Sequence, residues 1–203
     1  WSRGLGDVYK RQQPLRRQGE IAAYLELHIE QGPVLEVAQL PIGVVTGIVG
    51  IRRADIVCYG RPDHAGTASM ALRHDALAVA ADVIRGAELA AQRRPGTVAT
   101  VGSLSVAPNQ TNVVPGQVRF SLEMRSVHWP EVCAIWDECM QLLHAAATLR
   151  GVRVDVSPCE DSPPLIFATW YTDIVARAVA MQSIPVTYLP SGAGHDGSMI
   201  GMI

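Results

Sequence analysis

The sequence predicts a mixed α/β (α+β) fold in which a ferredoxin-like βαββαβ sandwich is inserted into a larger α/β domain. In the middle of the chain, hydrophobic periods typical of strands and helices follow the order strand, helix, strand, strand, helix, strand. Separate strand and helix patterns lie on both sides of this unit. The last segment stops in an apolar run after a Gly-rich turn, so we expect both flanks to belong to one larger, truncated domain.

The individual elements are predicted from period and from turn residues. In the central unit, period-two alternation is cleanest where Val118, Phe120, Leu122 and Met124 interleave with polar residues. The predicted strands are 52–59, 97–106, 118–125 and 152–156, and the predicted helices are 73–93 and 130–150. The flanks add a strand at 21–30, a helix at 168–181 and a strand at 186–189.

The resulting division of the chain has four parts. Residues 1–12 show no period and are expected to be a foreign or disordered leader. Residues 13–48 and 161–203 form the two parts of the larger domain, and residues 49–160 form the ferredoxin-like unit. A sheet of this plan is covered by helices on one face only, so its free face or edge can pair with another subunit.

Composition excludes several classes of function. The net charge is -2 and charged residues make up 18%, which gives no basic surface for nucleic acid or anionic lipid. No apolar run reaches the roughly 20 residues that a membrane span needs. The four cysteines form no CxxC pair, which favours reduced thiols and a cytoplasmic location. We therefore expect a small molecule or a protein as the partner.

Two histidines are candidate metal ligands. His28 lies between Glu26 and Glu30 on the polar side of the predicted strand, and imidazole beside carboxylate is typical of zinc sites. His195 follows a strand in a Gly-rich turn, where Asp196 could orient it or cap a helix. Taken from these residues alone, a strand histidine such as His28 is more often a solvated or structural residue, and His195 could belong to an ordinary turn before a helix.

Three further residues are candidates for substrate binding. His64 lies in a turn that joins a strand to a helix and could hold a developing oxyanion, or it could be a plain turn histidine. Asn112 belongs to an amide-rich loop and Arg125 ends a strand on its polar face. Amides and a guanidinium suit a ureido group and a carboxylate, although turn chemistry or a surface ion pair explains each alone.

Two other enzyme classes fit the sequence poorly. The turn at 192–197 matches GxGxxG, but it contains His and Asp, and too little chain follows to supply a ribose-binding acid. No serine lies in a GxSxG elbow, so a serine hydrolase is unsupported.

Together these segments resemble the hydantoinase/carbamoylase amidases, from about residue 20 to residue 203. This family includes N-carbamoyl-L-amino acid hydrolases, β-ureidopropionases and allantoate amidohydrolases, within the wider group of dinuclear zinc peptidases. The matching motifs are LHIEQGP (27–33), DHAGT (63–67), NQTNVVPG (109–116), Arg125, DSPP (161–164) and GAGHD (192–196). Two departures are Ala68-Ser69-Met70, where many members have a small residue and Pro-Met, and the unmatched residues 1–12.

The resemblance implies a role for each candidate residue. His28 matches a ligand of one metal ion and His195 a ligand of the other. Two divalent ions are implied, with zinc the first choice and manganese, cobalt or nickel as alternatives. Arg125 matches a clamp for the substrate carboxylate, and His64 matches the group that polarises the scissile carbonyl. Gln31 and Asn112 match further substrate-binding residues.

The implied reaction is hydrolysis of the C–N bond of an N-carbamoyl or ureido acid by a metal-activated water. The family's earlier His, bridging Asp and Glu-Glu pair precede the HIEQGP motif and have no counterpart here, so the chain alone is expected to be inactive. A homodimer through residues 49–160 is implied as well. The alternatives are a dinuclear zinc aminoacylase or peptidase, and a non-catalytic dimerisation module, in which His28 and His195 would have no reason to converge.

Overall fold

The computed structural model describes residues 19–201 of the chain. The predicted leader at residues 1–12 therefore lies outside the described residues. The elements are α1 (Val34–Val37), β1 (Val44–Ile48), β2 (Gly50–Tyr59), a 3-10 helix (Met70–Leu72), α2 (Ala76–Gln92), β3 (Thr97–Thr100), β4 (Leu104–Ala107), β5 (Gln117–Ser126), α3 (Trp129–Arg150), β6 (Arg153–Val156), β7 (Glu160–Ser162), β8 (Leu165–Ile166), α4 (Thr169–Met181), β9 (Tyr188–Ser191) and α5 (Asp196–Ile200).

The structure has two sheets, and the larger one belongs to the central unit of the chain. This larger sheet has the strand order β3-β5-β2-β6, with β4 also paired to β5 and β7 to β2. All of these pairs are antiparallel, and β2 and β5 form its longest ladder, from Gly50↔Ser126 to Tyr59↔Gln117. The element order and the strand order together confirm the predicted ferredoxin-like plan.

The core of this unit lies between the larger sheet and the helices α2 and α3. The inward side chains of β5 are fully buried, with Phe120 the largest, and its outward residues face away from the helices. Val83 of α2 and Ile135 of α3 are likewise fully buried against this face. Burial of each such side chain contributes about 1.5–3 kcal/mol, so the alternation read from the sequence decides which sheet face the helices cover.

Local signals set the ends of both long helices. The Asp75 carboxylate accepts hydrogen bonds from Leu77 N and Ala78 N at 2.9 and 3.1 Å, which caps α2. Helix α3 has Pro130 in its first turn and ends at Gly151, whose φ is 60°. Among the helices within residues 19–201, none combines the length and the apolar character that a membrane crossing requires.

A smaller sheet joins the two flanks of the chain. Strand β1 pairs antiparallel with β8 and parallel with β9, and α4 packs on it through a cluster of Val44, Ala176 and Val179. Ile48 of β1 lies opposite Ser191 at the end of β9. This pairing brings the turn that carries His195 close to the start of the larger sheet.

The predicted strand at 21–30 was wrong. These residues form no ladder within the described part of the chain, and the apolar side chains that were expected to be inside are exposed: Leu25 by 71%, Leu27 by 87% and Ile29 by 73%. A hydrophobic period of two identifies the two sides of an extended segment. The segment becomes a β-strand only when a neighbouring strand supplies backbone hydrogen bonds. Here the polar side, with Glu26, is the less exposed one.

Two smaller differences concern strand ends. The single strand expected at 97–106 is divided into β3 and β4, because the register with β5 shifts by one residue between Thr100↔Glu123 and Leu104↔Phe120. Ser121 fills the gap, since its hydroxyl accepts a hydrogen bond from Ser103 N at 3.1 Å, as in a β-bulge. Strand β9 also begins at Tyr188, later than the predicted start at 186.

Candidate active site

The histidines His28 and His195 lie side by side. Their ring centroids are 5.4 Å apart and the ring planes are inclined by 33°. His28 belongs to the extended segment before α1, and His195 is the N-cap residue that directly precedes α5. The structure thus brings together two imidazoles from opposite flanks of the chain, as a shared site requires.

Each imidazole has its Nδ1 atom engaged by an acceptor. Nδ1 of His28 lies 2.7 Å from the carbonyl oxygen of Ile29, and Nδ1 of His195 lies 3.2 Å from Oε2 of Glu26. A carbonyl or an ionised carboxylate only accepts, so the proton of each neutral ring belongs on Nδ1. The lone pair of each ring is then on Nε2. Histidines that bind metals are held in this way, with the other nitrogen donating to a carbonyl or carboxylate.

Glu26 is the residue that the sequence did not connect with His195. Its Oε2 also accepts from Gly197 N at 3.1 Å, and the Tyr24 hydroxyl donates to it over a longer 3.4 Å. Partial desolvation acts to raise the pKa of Glu26, but the hydrogen bond from Gly197 and the adjacent His195 outweigh it, and the pKa is lowered. The carboxylate is therefore ionised near neutral pH.

The sequence suggests that Asp196 could orient His195 or cap a helix. In the structure Asp196 is the first residue of α5, and Glu26 holds the ring instead. A signal for Glu26 was present, because residues two apart in an extended segment project to the same side, and Glu26 therefore shares a side with His28.

Glu30 and Gln31 shape the turn after the extended segment. The Glu30 carboxylate accepts hydrogen bonds from Val34 N and Leu35 N, both at 2.8 Å, and so caps α1. Gln31 has a positive φ of 55° and an exposed side chain. Its side chain makes no hydrogen bond within residues 19–201.

His64 and Asn112 lie in adjacent loops of the ferredoxin-like unit. The two loops are joined where Ala65 N donates to Asn112 O at 2.9 Å and where His64 forms an isolated bridge with Val113. Gly66 N donates to Nδ1 of His64 at 3.1 Å, so the ring proton belongs on Nε2. His64 is exposed and presents this N–H as a donor.

Arg73 holds the loop that carries His64 and was not identified from the sequence. Its Nε donates to Ala68 O at 3.0 Å and its Nη2 donates to Ala65 O. An arginine can fix two carbonyls at once because its donors form a rigid fork. No sequence pattern indicated this, since the contact depends on how the loop folds back.

Arg125 lies at the end of β5 and reaches the smaller sheet. Its Nε donates to Glu123 Oε1 at 2.7 Å, and Arg53 shares the same carboxylate at 3.0 Å. The Nη1 atom of Arg125 donates to Gly192 O at 2.9 Å, in the turn that leads to His195. A charged residue of the larger sheet is therefore already in contact with the loop of the candidate metal ligands.

The candidate residues fall into two groups. His28 and His195 with Glu26 form one, His64 and Asn112 form the other, and Arg125 lies against the turn of the first. Within residues 19–201 no hydrogen bond joins the two groups, and no cluster of three or more His, Cys, Asp or Glu side chains is arranged to hold a metal ion.

Comparison with known proteins gives related sequences and structures. The chain is 41% identical over 189 residues to N-carbamoyl-L-amino-acid amidohydrolase from Paenarthrobacter aurescens, which covers 93% of this chain and 46% of that protein. It is 32% identical over 183 residues to allantoate amidohydrolase from Bacillus subtilis, which covers 90% of this chain and 44% of that protein. No protein-family model matches the chain.

A solved structure agrees in fold. An amidase of the hydantoinase/carbamoylase family from Burkholderia multivorans superposes with a TM-score of 0.84 at 31% identity, over 87% of this chain and 43% of that one. The chain thus spans about half the length of the curated relatives it matches.

Proposed function

We infer the function from the homology of this chain to the hydantoinase/carbamoylase family of amidases, which extends over about 90% of its residues. We propose that the whole protein hydrolyses the C–N bond of a small N-carbamoyl or ureido acid with the help of two divalent metal ions. Zinc is the first choice, with manganese, cobalt and nickel as alternatives. The observation that carries the proposal is the convergence of His28 and His195, each with Nδ1 engaged.

The donor chemistry fits a metal centre. His28 and His195 would hold the ions through Nε2, because the proton of each neutral ring is committed to Nδ1. When bound, divalent ions supply Lewis-acid activation of water for attack on a carbonyl. A non-catalytic module has no need to hold two imidazoles of distant segments in this way, so the same geometry supports the enzyme over that alternative.

The remaining candidates would act on the substrate. The Nε2–H of His64 would donate to the carbonyl oxygen as negative charge develops there, and its Nδ1 is already fixed by Gly66 N. The water oxygen bonds to the carbonyl carbon, the C–N bond breaks, and the nitrogen leaves with a proton. We assign this proton transfer to no residue within 19–201.

Arg125, Asn112 and Gln31 are proposed to bind the rest of the substrate. The guanidinium of Arg125 would clamp its carboxylate, which favours an acid substrate over a peptide. The guanidinium pairs with Glu123 and with Gly192 O, so both contacts would compete with the substrate carboxylate. The amide side chains of Asn112 and Gln31 are exposed and offer both donors and acceptors to a ureido group.

The assembly of the site needs motion or a second subunit. His64 and Asn112 have no hydrogen bond to His28 or His195 in the described residues, so closure of the ferredoxin-like unit or a neighbouring subunit has to bring the two groups together. We propose a homodimer through residues 49–160, which sedimentation would test as twice the chain mass of 21.8 kDa. The free thiols, with Cys58 and Cys139 buried, support a reducing, cytoplasmic location.

The test compares the 203-residue chain with an extended protein, in which it is joined to the part of the family length it does not span. Both are assayed with N-carbamoyl amino acids and with allantoate, with and without a chelator. We expect hydrolysis only from the extended protein, and only with metal, because two imidazoles cannot complete two coordination shells. Robust zinc-dependent hydrolysis by the chain alone, or none by the extended protein, would contradict the proposal.

A further inference from the structure

Glu26 lies at a junction that the proposed reaction does not use. One oxygen of its carboxylate accepts from the His195 ring and from Gly197 N, and receives the longer contact from Tyr24. It thereby connects the extended segment before α1 to the turn before α5, across almost the whole sequence. The side chain of His195 is only 8% exposed and that of Glu26 only 21%. Water therefore competes little for this contact.

We propose that Glu26 is a positioning residue for His195. It fixes the proton of the neutral imidazole on Nδ1 and so leaves the lone pair of Nε2 available to a metal ion. An ionised carboxylate accepts hydrogen bonds and cannot donate them, so the contact exists only when Nδ1 donates. The tautomer claim concerns the chain itself, whereas the benefit to metal binding rests on the proposed function.

The backbone at Gly197 leaves room for the contact between Glu26 and His195. A Cβ atom at Gly197 would lie 3.0 Å from Nδ1 of His195 and 3.8 Å from Oε2 of Glu26, so a side chain at this position would crowd the pair. Gly197 also gives its N–H to the same carboxylate oxygen. The ring and the first turn of α5 thus share one acceptor, which limits rotation of the imidazole.

Glu30 provides a matched control on the same segment. It is also a partly buried carboxylate that accepts two backbone hydrogen bonds, but its partners are Val34 N and Leu35 N at the start of α1. Among residues 19–201, Glu30 forms no hydrogen bond or ion pair with His195. A substitution at Glu30 therefore reports general disturbance of the segment, without removal of the proposed acceptor.

The experiment measures imidazole tautomers in the metal-free 203-residue chain by ¹⁵N–¹H correlation spectra, at a pH where the rings are neutral. In the unmodified chain we expect His195 and His28 to carry the proton on Nδ1. Glu26→Ala should shift His195 toward the Nε2–H form and leave His28 unchanged, since His28 donates to a backbone carbonyl. Glu26→Gln should keep the Nδ1–H form, because the amide oxygen can still accept. Glu30→Ala, the matched control for Glu26→Ala, should change neither ring.

Two results would overturn the proposal: His195 stays in the Nδ1–H form in Glu26→Ala, or Glu30→Ala shifts the tautomer of His195 equally. In the extended protein, Glu26→Ala should weaken metal affinity about 10- to 100-fold and Glu26→Gln by less, because only the charge is lost. If the tautomer shifts as expected but the extended protein binds no divalent metal, the proposed function fails and the positioning role stands.

Discussion

At the scale of single residues, the hydrogen-bond partner of Nδ1 distinguishes His28 and His195 from His64. His28 and His195 have Nδ1 engaged by acceptors, which leaves Nε2 free to bind a metal ion. His64 has Nδ1 engaged by a donor, which leaves Nε2–H free to donate. Under the proposed function, the same type of side chain would bind a metal ion in one place and the oxyanion in the other.

Replacement of His64 tests the second role. In the extended protein, we expect His64→Ala to lower kcat by about 10²- to 10³-fold with little change in KM, because the contact strengthens only as charge develops on the carbonyl oxygen. Steady-state kinetics on an N-carbamoyl amino acid provide the measurement. A rise in KM at unchanged kcat would instead assign His64 to ground-state binding.

Replacement of Arg125 tests the carboxylate clamp. Loss of a charge-assisted contact of about 1.5–3 kcal/mol should raise KM for an acid substrate roughly 10- to 150-fold in Arg125→Ala. Arg119→Ala is the matched control, because Arg119 lies on the same outward face of β5 and is exposed. An unchanged KM in Arg125→Ala would leave Arg125 as a link between Glu123 and Gly192 only.

Sequence reasoning identified the candidate ligands but not their partners. His28 and His195 were found because residue type, local turn and motif all agreed. The contact between Glu26 and His195 was missed, because it depends on a turn almost a whole chain length away. Arg73 was missed for a similar reason, since its two carbonyl acceptors become neighbours only when the loop carrying His64 is folded.

At the scale of elements, sequence patterns were reliable where one face of an element is buried. The alternation in β5 and the helical periods of α2 and α3 predicted the ferredoxin-like unit, because burial enforces the pattern. The segment 21–30 has an equally clear alternation, but no strand pairs with it in residues 19–201. The hydrophobic pattern shows that the two sides of the segment differ, and hydrogen bonding to a neighbouring strand decides whether the segment is a β-strand.

The core of the ferredoxin-like unit should be sensitive to cavities. Phe120 is the largest fully buried side chain, so Phe120→Ala is expected to lower the free energy of unfolding by about 3–5 kcal/mol. Val98→Ala serves as the control, because Val98 on the edge strand β3 is 56% exposed. Its replacement should change the free energy of unfolding only slightly. Urea denaturation of both variants gives the comparison, and equal losses would contradict the assigned core.

Acid should weaken the contact between β2 and β7. The Arg52 guanidinium donates to both oxygens of Asp161 at 2.8 and 2.6 Å and holds the pKa of this carboxyl below its ordinary value of 3.8. The pKa of Asp161 is lower in the folded state than in the unfolded state. The contact therefore stabilises the fold at pH values above the unfolded-state pKa, and this contribution is lost as the pH falls through the folded-state pKa.

The corresponding experiment compares the urea midpoint of the unmodified chain with that of Asp161→Asn as pH falls. The difference should be constant above pH 3.8 and should close below it, as Asp161 becomes protonated. Because Asp161 is 35% exposed, solvent screening keeps the effect small. A difference that persists at the lowest pH would show that charge is not the cause.

At the scale of the whole molecule, the described chain carries two unequal cores. The larger lies in the ferredoxin-like unit, and the smaller is a cluster around Val44 on β1. Large apolar side chains of the flanks remain exposed, including Leu27 by 87% and Met181 by 82%. This distribution agrees with a chain that spans about half the length of its relatives and shares their fold over that half.

The most direct test of the account is the metal content of the extended protein after dialysis, measured for His28→Ala and His195→Ala. His144→Ala is the control, since His144 is exposed on α3 and outside the candidate site. We expect two divalent ions per chain in the unmodified protein and in the control, and a loss of bound metal together with hydrolysis in both site variants. Full metal content in His28→Ala and His195→Ala would contradict the account.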